Sequence, residues 1–167
     1  MLIQQKIGNI KNHTNNIKTI DWLKLQWFET NKRIQRKHTE SGLEIAIKFL
    51  HENPNLNQGD ILFEDEKSII AIEILPCECI VVAPKNMFEM ASVCYEIGNK
   101  HLPLFFDKEE LLVPNEMPLY KLLTAQGYIV KQEKRQLLQP LKTTVAPHGS
   151  TNDTLFSKIM KLTATHE

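Results

Sequence analysis

The chain has three kinds of side chain that could do chemistry: six histidines, three cysteines and a scatter of carboxylates. His101 is the most suggestive. It follows Gly98-Asn99-Lys100 and leads into Leu102-Pro103-Leu104-Phe105-Phe106, so it marks the join between a helical pattern and an apolar strand. A side chain at such a boundary has a restricted backbone and access to solvent or a partner. Divalent transition-metal ions accept neutral imidazole nitrogen, so metal ligation is one chemistry open to it. Position alone does not decide the matter, since a single histidine at a join is more often a surface or hydrogen-bonded residue than a ligand.

The other candidates are weaker. In a strand Cys77 and Cys79 of Cys77-Glu78-Cys79 share one face and could pinch a soft ion, but free cysteine in an apolar strand is usually a small core residue. His13, His38 and His51 sit at turns or polar segments without paired ligand spacing. His148 and His166 lie in a polar C-terminal stretch where no core claims them. The chain has no glycine-rich phosphate loop, no nucleophile with a plausible base and no carboxylate pair at a recognisable site, which argues against an enzyme.

The elements that must position these residues are of two kinds. Residues 1 to 75 read as a small β domain. Leu23, Leu25 and Trp27 alternate with Lys24 and Gln26, and Leu43, Ile45, Ile47 and Phe49 alternate with Glu44, Ala46 and Lys48. Ile61-Leu62-Phe63 and Ser68 to Ile74 flank an acidic turn and predict a hairpin, after turn chemistry at Asn53-Pro54-Asn55 and Gln58-Gly59-Asp60. The basic run Lys32 to His38 reads as a solvated hairpin end, or as a surface for an acidic partner.

Pro76 marks a boundary, after which strands and helices alternate over residues 76–140. Cys77 to Val82 predicts a strand. Asn86 caps a helix with Glu89 three residues on, Met87, Met90, Ala91 and Cys94 form one of its faces, and Gly98 suits the left-handed position past its end. Leu102 to Phe106 and Leu111 to Val113 predict a second hairpin. Asn115 opens a second helix with Pro118 in its first turn and Gly127 at its end, and Tyr128-Ile129-Val130 supplies the last strand. The order β-α-β-β-α-β is a ferredoxin-like arrangement, so the fold class is α+β. Residues 141–167 lose periodicity and predict a mobile tail with a weak helical pattern at Leu155, Ile159 and Leu162.

Length and charge narrow the function classes. A chain of 167 residues buries a real core. Its twenty basic and twenty acidic residues cancel, leaving no long-range field for nucleic acid or an anionic membrane. No apolar run is long enough to span a bilayer, and Met1 to Lys6 lacks the order of a signal peptide, so a cytoplasmic protein with reduced cysteines is expected.

Tyr95-Glu96-Ile97-Gly98-Asn99-Lys100-His101-Leu102-Pro103-Leu104 closely resembles the Y-x-L-G-N-R-H-x-P-L signature of the UreE family, urease accessory proteins that act as nickel chaperones. Lys100 replaces the usual arginine and Ile97 the usual leucine, both within residue class. Leu25, Trp27, Glu29, Arg33, Arg36 and Thr39 fall near the family's N-terminal pattern, Gly59-Asp60 matches its turn, and Glu78 precedes the middle strand. The family's histidine-rich tail motifs are absent here apart from His148 and His166, and Leu137-Leu138-Gln139-Pro140 stands where many relatives have Phe-x-Pro-Glu.

The resemblance implies a ferredoxin-like metal-binding and dimerisation domain, a β domain that binds partner peptides, and C-terminal histidines that join the metal site. A homodimer would bring His101 of each chain to a two-fold axis. His148 ranks ahead of His166 as a further ligand, because distance along a loose tail lowers effective concentration. The expected cargo is Ni(II), for which Zn(II) or Cu(II) can substitute, and the expected partners are the urease accessory GTPase and the urease apoprotein complex. Because neutral imidazole is the ligand form, acid should release the ion. The competing reading is a protein-interaction module whose β domain grips a partner peptide, with metal binding incidental.

Overall fold

The computed structural model describes residues 1–13, 18–50 and 53–141. Its N-terminal β domain contains β1 (Leu2–Ile3), β2 (Gly8–Asn9), β3 (Thr19–Leu25), β4 (Ile34–His38), β5 (Glu44–Lys48), β6 (Asp60–Glu64) and β7 (Ser68–Ile74). They form two sheets, ordered β1-β5-β4 and β2-β6-β7-β3. Alternation decides which side chains go inside. Ile45 and Ile47 point inward from β5 while Glu44 and Lys48 stay out, and they meet Leu23 and Leu25 of β3, Leu62 of β6 and Ile70 and Ile72 of β7 in one core. β7 is buried on both sides, because Ile69 and Ala71 pack with Ile61 in a second cluster.

The expected β6–β7 hairpin forms over Asp65, whose carboxylate accepts the Lys67 and Ser68 N–H groups. Gly59 has φ +79°, and a Cβ there would lie 2.7 Å from Ile10 Cγ1, so both conformation and space demand glycine. Next to it Asp60, 4% exposed, accepts from Lys6 Nζ, Asn9 Nδ2 and the Asn57 N–H.

Three features depart from the sequence expectation. β3 stops at Leu25, and Trp27–Glu29 is a 3-10 turn rather than more strand. The reason is Glu29, whose carboxylate accepts the Gln26 N–H at 3.0 Å and pairs with Lys37 at 2.6 Å, winding the chain into a turn. The basic run is not a hairpin end, since residues 34–38 form β4 and pair along β5, with His38 on a strand rather than a turn. The short strands β1 and β2 lack a readable pattern because two residues carry no period.

Beyond Pro76 come β8 (Cys77–Val82), α1 (Met87–Asn99), β9 (Phe105–Asp107), β10 (Glu110–Pro114), α2 (Met117–Ala125) and β11 (Val130–Arg135). The sheet order is β11-β8-β10-β9 with every neighbour antiparallel. β10 therefore lies between β8 and β9, which run parallel through the α1 crossover, as a ferredoxin-like split βαβ requires. Both helices cover one face, where Val93 and Ile97 of α1 and Leu119 and Leu123 of α2 meet Ile80, Val82, Leu111 and Val113.

The opposite face carries Cys79, Val81, Phe105 and Leu112, and it is covered by Leu137 and by Trp27 from the N-terminal domain. Trp27 meets the Phe105 ring edge-on, with centroids 5.5 Å apart. Gln136 Nε2 adds a hydrogen bond to the Ile74 carbonyl at 2.7 Å.

Several boundaries shift from those expected. The α1 cap is as read, Asn86 accepting from the Glu89 N–H at 2.9 Å. α2 is capped by Glu116, which accepts the Leu119 N–H, while Asn115 instead donates its N–H to the Glu78 carbonyl. β9 omits Leu102 to Leu104, the first of which closes the preceding helix, and β11 begins at Val130 and continues to Arg135. β11 is polar beyond Val130 because it is an edge strand of this sheet, so a hydrophobic scan stops too early.

After β11 the chain crosses to the other edge of the sheet. Gln136, Leu137 and Leu138 separate Arg135 from Gln139, whose carbonyl accepts the Phe106 N–H at 3.0 Å. That strap spans at most ~14 Å, so the sheet is curled enough to bring its edges together. Arg135 clasps the curl, donating to Asp107, Glu110 and Glu133. Pro140 then bridges to Phe105, and the Leu141 N–H donates to the Leu104 carbonyl at 2.7 Å. The expected mobile tail beyond Leu141, and its weak helix, lie outside the described residues.

Burial alone pushes the Glu29 carboxyl up, but Lys37, the Gln26 N–H and Lys32 outweigh it and hold the group below the usual range. A depressed folded value means stability that is present at neutral pH and lost as pH falls through that value. Glu29→Gln is expected to cost about 1–3 kcal/mol at pH 7 and to flatten the acid limb of the stability curve. Urea melts of both proteins from pH 7 down to pH 3 check it.

Candidate metal centre

His101 owes its position to the way α1 ends. Lys100 closes the helix in right-handed geometry, and His101 follows with φ +54°. The His101 N–H donates to the Gly98 carbonyl at 3.0 Å and the Leu102 N–H to the Ile97 carbonyl at 3.4 Å. This pair of bonds is a Schellman closure, in which a left-handed residue lets the chain bend back on the last turn. Leu102 and Ile97 complete it by packing in the same apolar cluster.

The left-handed position thus belongs to His101. Gly98, expected there, lies inside the helix, where a Cβ would meet nothing within 4 Å. A side chain with a Cβ is disfavoured at positive φ, although histidine is among the residues found there more often than most. His101 is exposed at the helix end, as its place at an element boundary suggested.

The face of α1 beside it is also apolar. Met87 is 82% exposed, Phe88 80% and Tyr95 71%, with Ala91 and Gly98 exposed between them. At 100° per residue these five fall within roughly 100° of arc. The inward face is Met90, Val93, Cys94 and Ile97, so Met87 and Ala91, read with the packed side, belong to this second stripe. The signal in the sequence was an excess of apolar residues over what one face can hold.

The remaining candidates separate. Cys77 and Cys79 both face the cluster around Trp27 and Leu137. Burial pushes the Cys79 thiol up to about 11, with Cys77 adding to it, and burial followed by the Glu78 charge raises Cys77 too. Thiols so poorly ionised make weak ligands at neutral pH. His13 Nε2 lies 2.9 Å from Glu64 at the end of β6, and His38 is exposed on β4. His51, His148 and His166 lie outside the described residues. Among the described residues no three histidines, cysteines or carboxylates converge closely enough to hold a metal ion.

Fold and site together define a β domain joined to a ferredoxin-like domain that presents an imidazole at the end of an exposed apolar helix. The chain matches the family models described as UreE urease accessory protein, N-terminal domain, over residues 3–75, and UreE urease accessory protein, C-terminal domain, over residues 77–153. It is 44% identical to the urease accessory protein UreE of Flavobacterium johnsoniae over 163 residues, covering 97% of this chain and 99% of that one. It is 45% identical to that of Actinobacillus pleuropneumoniae over 127 residues, 76% of this chain and 68% of the relative, and 38% identical to that of Helicobacter pylori over 157 residues, 91% and 92%. The chain belongs to the UreE family of urease accessory proteins, and so to the machinery of urease maturation. Among the described residues no helix is long and apolar enough to cross a membrane.

The cap geometry makes its own prediction. His101→Asn, which tolerates positive φ, should leave thermal stability unchanged or raised, whereas β-branched His101→Ile should lose about 1–2 kcal/mol. Thermal and urea melts of the two variants check the order.

Proposed function

We propose that this protein is a nickel-binding metallochaperone that carries Ni(II) to the urease apoprotein in the cytoplasm, holding it at a homodimer interface by His101 of each chain. The carrying observation is the coincidence on α1 of an exposed apolar stripe, Met87, Phe88, Ala91 and Tyr95, with an exposed histidine at the helix end. An apolar stripe of this kind on one chain favours self-association. A two-fold contact along it would duplicate His101 near the axis, giving two ligands where one chain supplies one.

The strap supports a further donor. Leu141 pairs with Leu104, three residues from His101, and runs antiparallel to β9, so the chain leaves the described residues heading toward the helix end. His148 follows seven residues later, within at most ~25 Å of chain, and is the favoured third ligand, with His166 after it. Such imidazole sites also accept Zn(II) or Cu(II), so selection rests on supply and partner contacts. In this reading residues 76–140 bind metal and dimerise, residues 141–167 reach the ion, and residues 1–75 bind peptide segments of partners, among them the accessory GTPase and the urease apoprotein complex. The protein itself catalyses nothing.

Nickel titration calorimetry tests the reading. The wild type should take up Ni(II) per dimer and release it on acidification, His101→Ala should lose most of the heat, and Cys77→Ser should change nothing. Phe88→Glu with Tyr95→Glu should yield monomers by light scattering and weaken nickel binding in parallel. Tight uptake by a His101→Ala dimer would sink the proposal.

A further inference from the structure

The basic run on β4 has no part in the metal site, and its geometry gives it another use. The Phe49 N–H donates to the Arg33 carbonyl, and the Thr39 N–H to the Leu43 carbonyl. In an antiparallel pair the bonded residues alternate, so Arg33, Gln35, Lys37 and Thr39 turn their backbone groups to β5. The N–H and C=O groups of Ile34, Arg36 and His38 therefore point away from β5. On that side the Glu40 N–H, just past the strand, donates to the Trp22 carbonyl of β3 at 2.8 Å, so the C-terminal end of the edge lies against β3, while along Ile34 and Arg36 no strand pairs with it among the described residues.

The side chains divide in the same rhythm. Gln35 and Lys37 turn inward and anchor the strand, Gln35 Nε2 to the Glu29 carbonyl at 3.1 Å and Lys37 to its carboxylate at 2.6 Å. Ile34, 67% exposed, and Arg36, whose side chain is 80% exposed, stand outward with His38. Lys48 lies opposite Ile34 on β5, and Lys32 and Arg33 precede the strand. Lys32 is already 3.6 Å from the Glu29 carboxylate that holds Lys37, and Arg36 is 3.6 Å from Glu44, itself 56% exposed, which leaves Arg33 and Lys48 without an ion pair among the described residues. The whole chain is electrically balanced, so the excess is a property of this edge.

We infer that the open edge of β4 takes an extended acidic peptide segment of a partner protein as an added strand, with a carboxylate opposite Arg36 and an apolar residue two positions along opposite Ile34. Strand addition satisfies the outward N–H and C=O groups, and side chains on one face of the peptide recur every second residue, matching the Ile34–Arg36 spacing. A second copy of this chain is a poor occupant, because two β4 edges paired about a two-fold axis would set Arg36 and its flanking cations against their own copies. The inference rests on the reading that the N-terminal domain binds partner peptides, and it names the strand and the peptide chemistry.

The probe is a short fluorescein-labelled peptide with isoleucine and two glutamates at alternate positions and threonine between them, beside a version with lysine for glutamate. The glutamate peptide should bind saturably by anisotropy, more weakly as salt rises, and the lysine peptide should not. Arg36→Glu should weaken binding about tenfold, since attraction at an exposed pair becomes repulsion. In amide hydrogen exchange by NMR, Ile34 and Arg36 should exchange fast in the free protein and slowly with peptide, while Gln35 and Lys37 stay slow in both. Equal binding of both peptides, or undiminished binding to Arg36→Glu, would overturn the proposal. Protection elsewhere in residues 1–75 would overturn the β4 assignment and leave the domain's partner-binding role standing. No saturable binding of either peptide would overturn both.

Discussion

The hydrogen bond from the Leu102 N–H to the Ile97 carbonyl governs how the ferredoxin-like domain is arranged. By folding the chain back on the last turn of α1 it ends the helix, forces His101 into the left-handed region and aims Pro103 and Leu104 into the sheet. One backbone contact thereby sets both the histidine's outward position and the start of β9. The apolar match of Leu102 with Ile97 keeps the closure in place, so packing beneath the helix end helps fix the backbone at His101.

The second constraint is that both faces of the ferredoxin-like sheet are covered, one by its helices and the other by Leu137 and Trp27. Because Trp27 meets Phe105, and Phe105 in turn bridges to Pro140, the N-terminal domain packs on the same strand that receives the strap. An aromatic pair of this geometry contributes about 0.5–1.5 kcal/mol beyond its burial. Glu29 supports it indirectly, since its ion pair with Lys37 shapes the turn that carries Trp27. The two domains are therefore linked through packed side chains as well as through Pro76.

Much of this was legible in the sequence where period and capping agree. The alternation in β5, the β6–β7 hairpin, the Asn86 cap and the β-α-β-β-α-β order all follow from local rules that tertiary contacts did not oppose. Where a long-range partner decides the outcome, local pattern misleads. Trp27 looks like one more inward strand residue until Glu29 finds Lys37, and Gly98 looks like the left-handed residue until the helix runs on to Asn99. β4 is hidden because its inward residues, Gln35 and Lys37, are polar while its one aliphatic residue, Ile34, faces out, so no inward hydrophobic period exists to detect. The outer stripe of α1 was folded into the inner one, since sequence records that a helix is rich in apolar residues but not how many faces they occupy.

The strap from Gln136 to Leu141 is the last described piece of chain to be synthesised, yet it covers an edge laid down some thirty residues earlier. Until the strap has emerged and docked, the outer N–H and C=O groups of β9 lack their partner. Translation thus has a brief interval of adhesiveness built into it, which closes only when the C-terminal segment emerges.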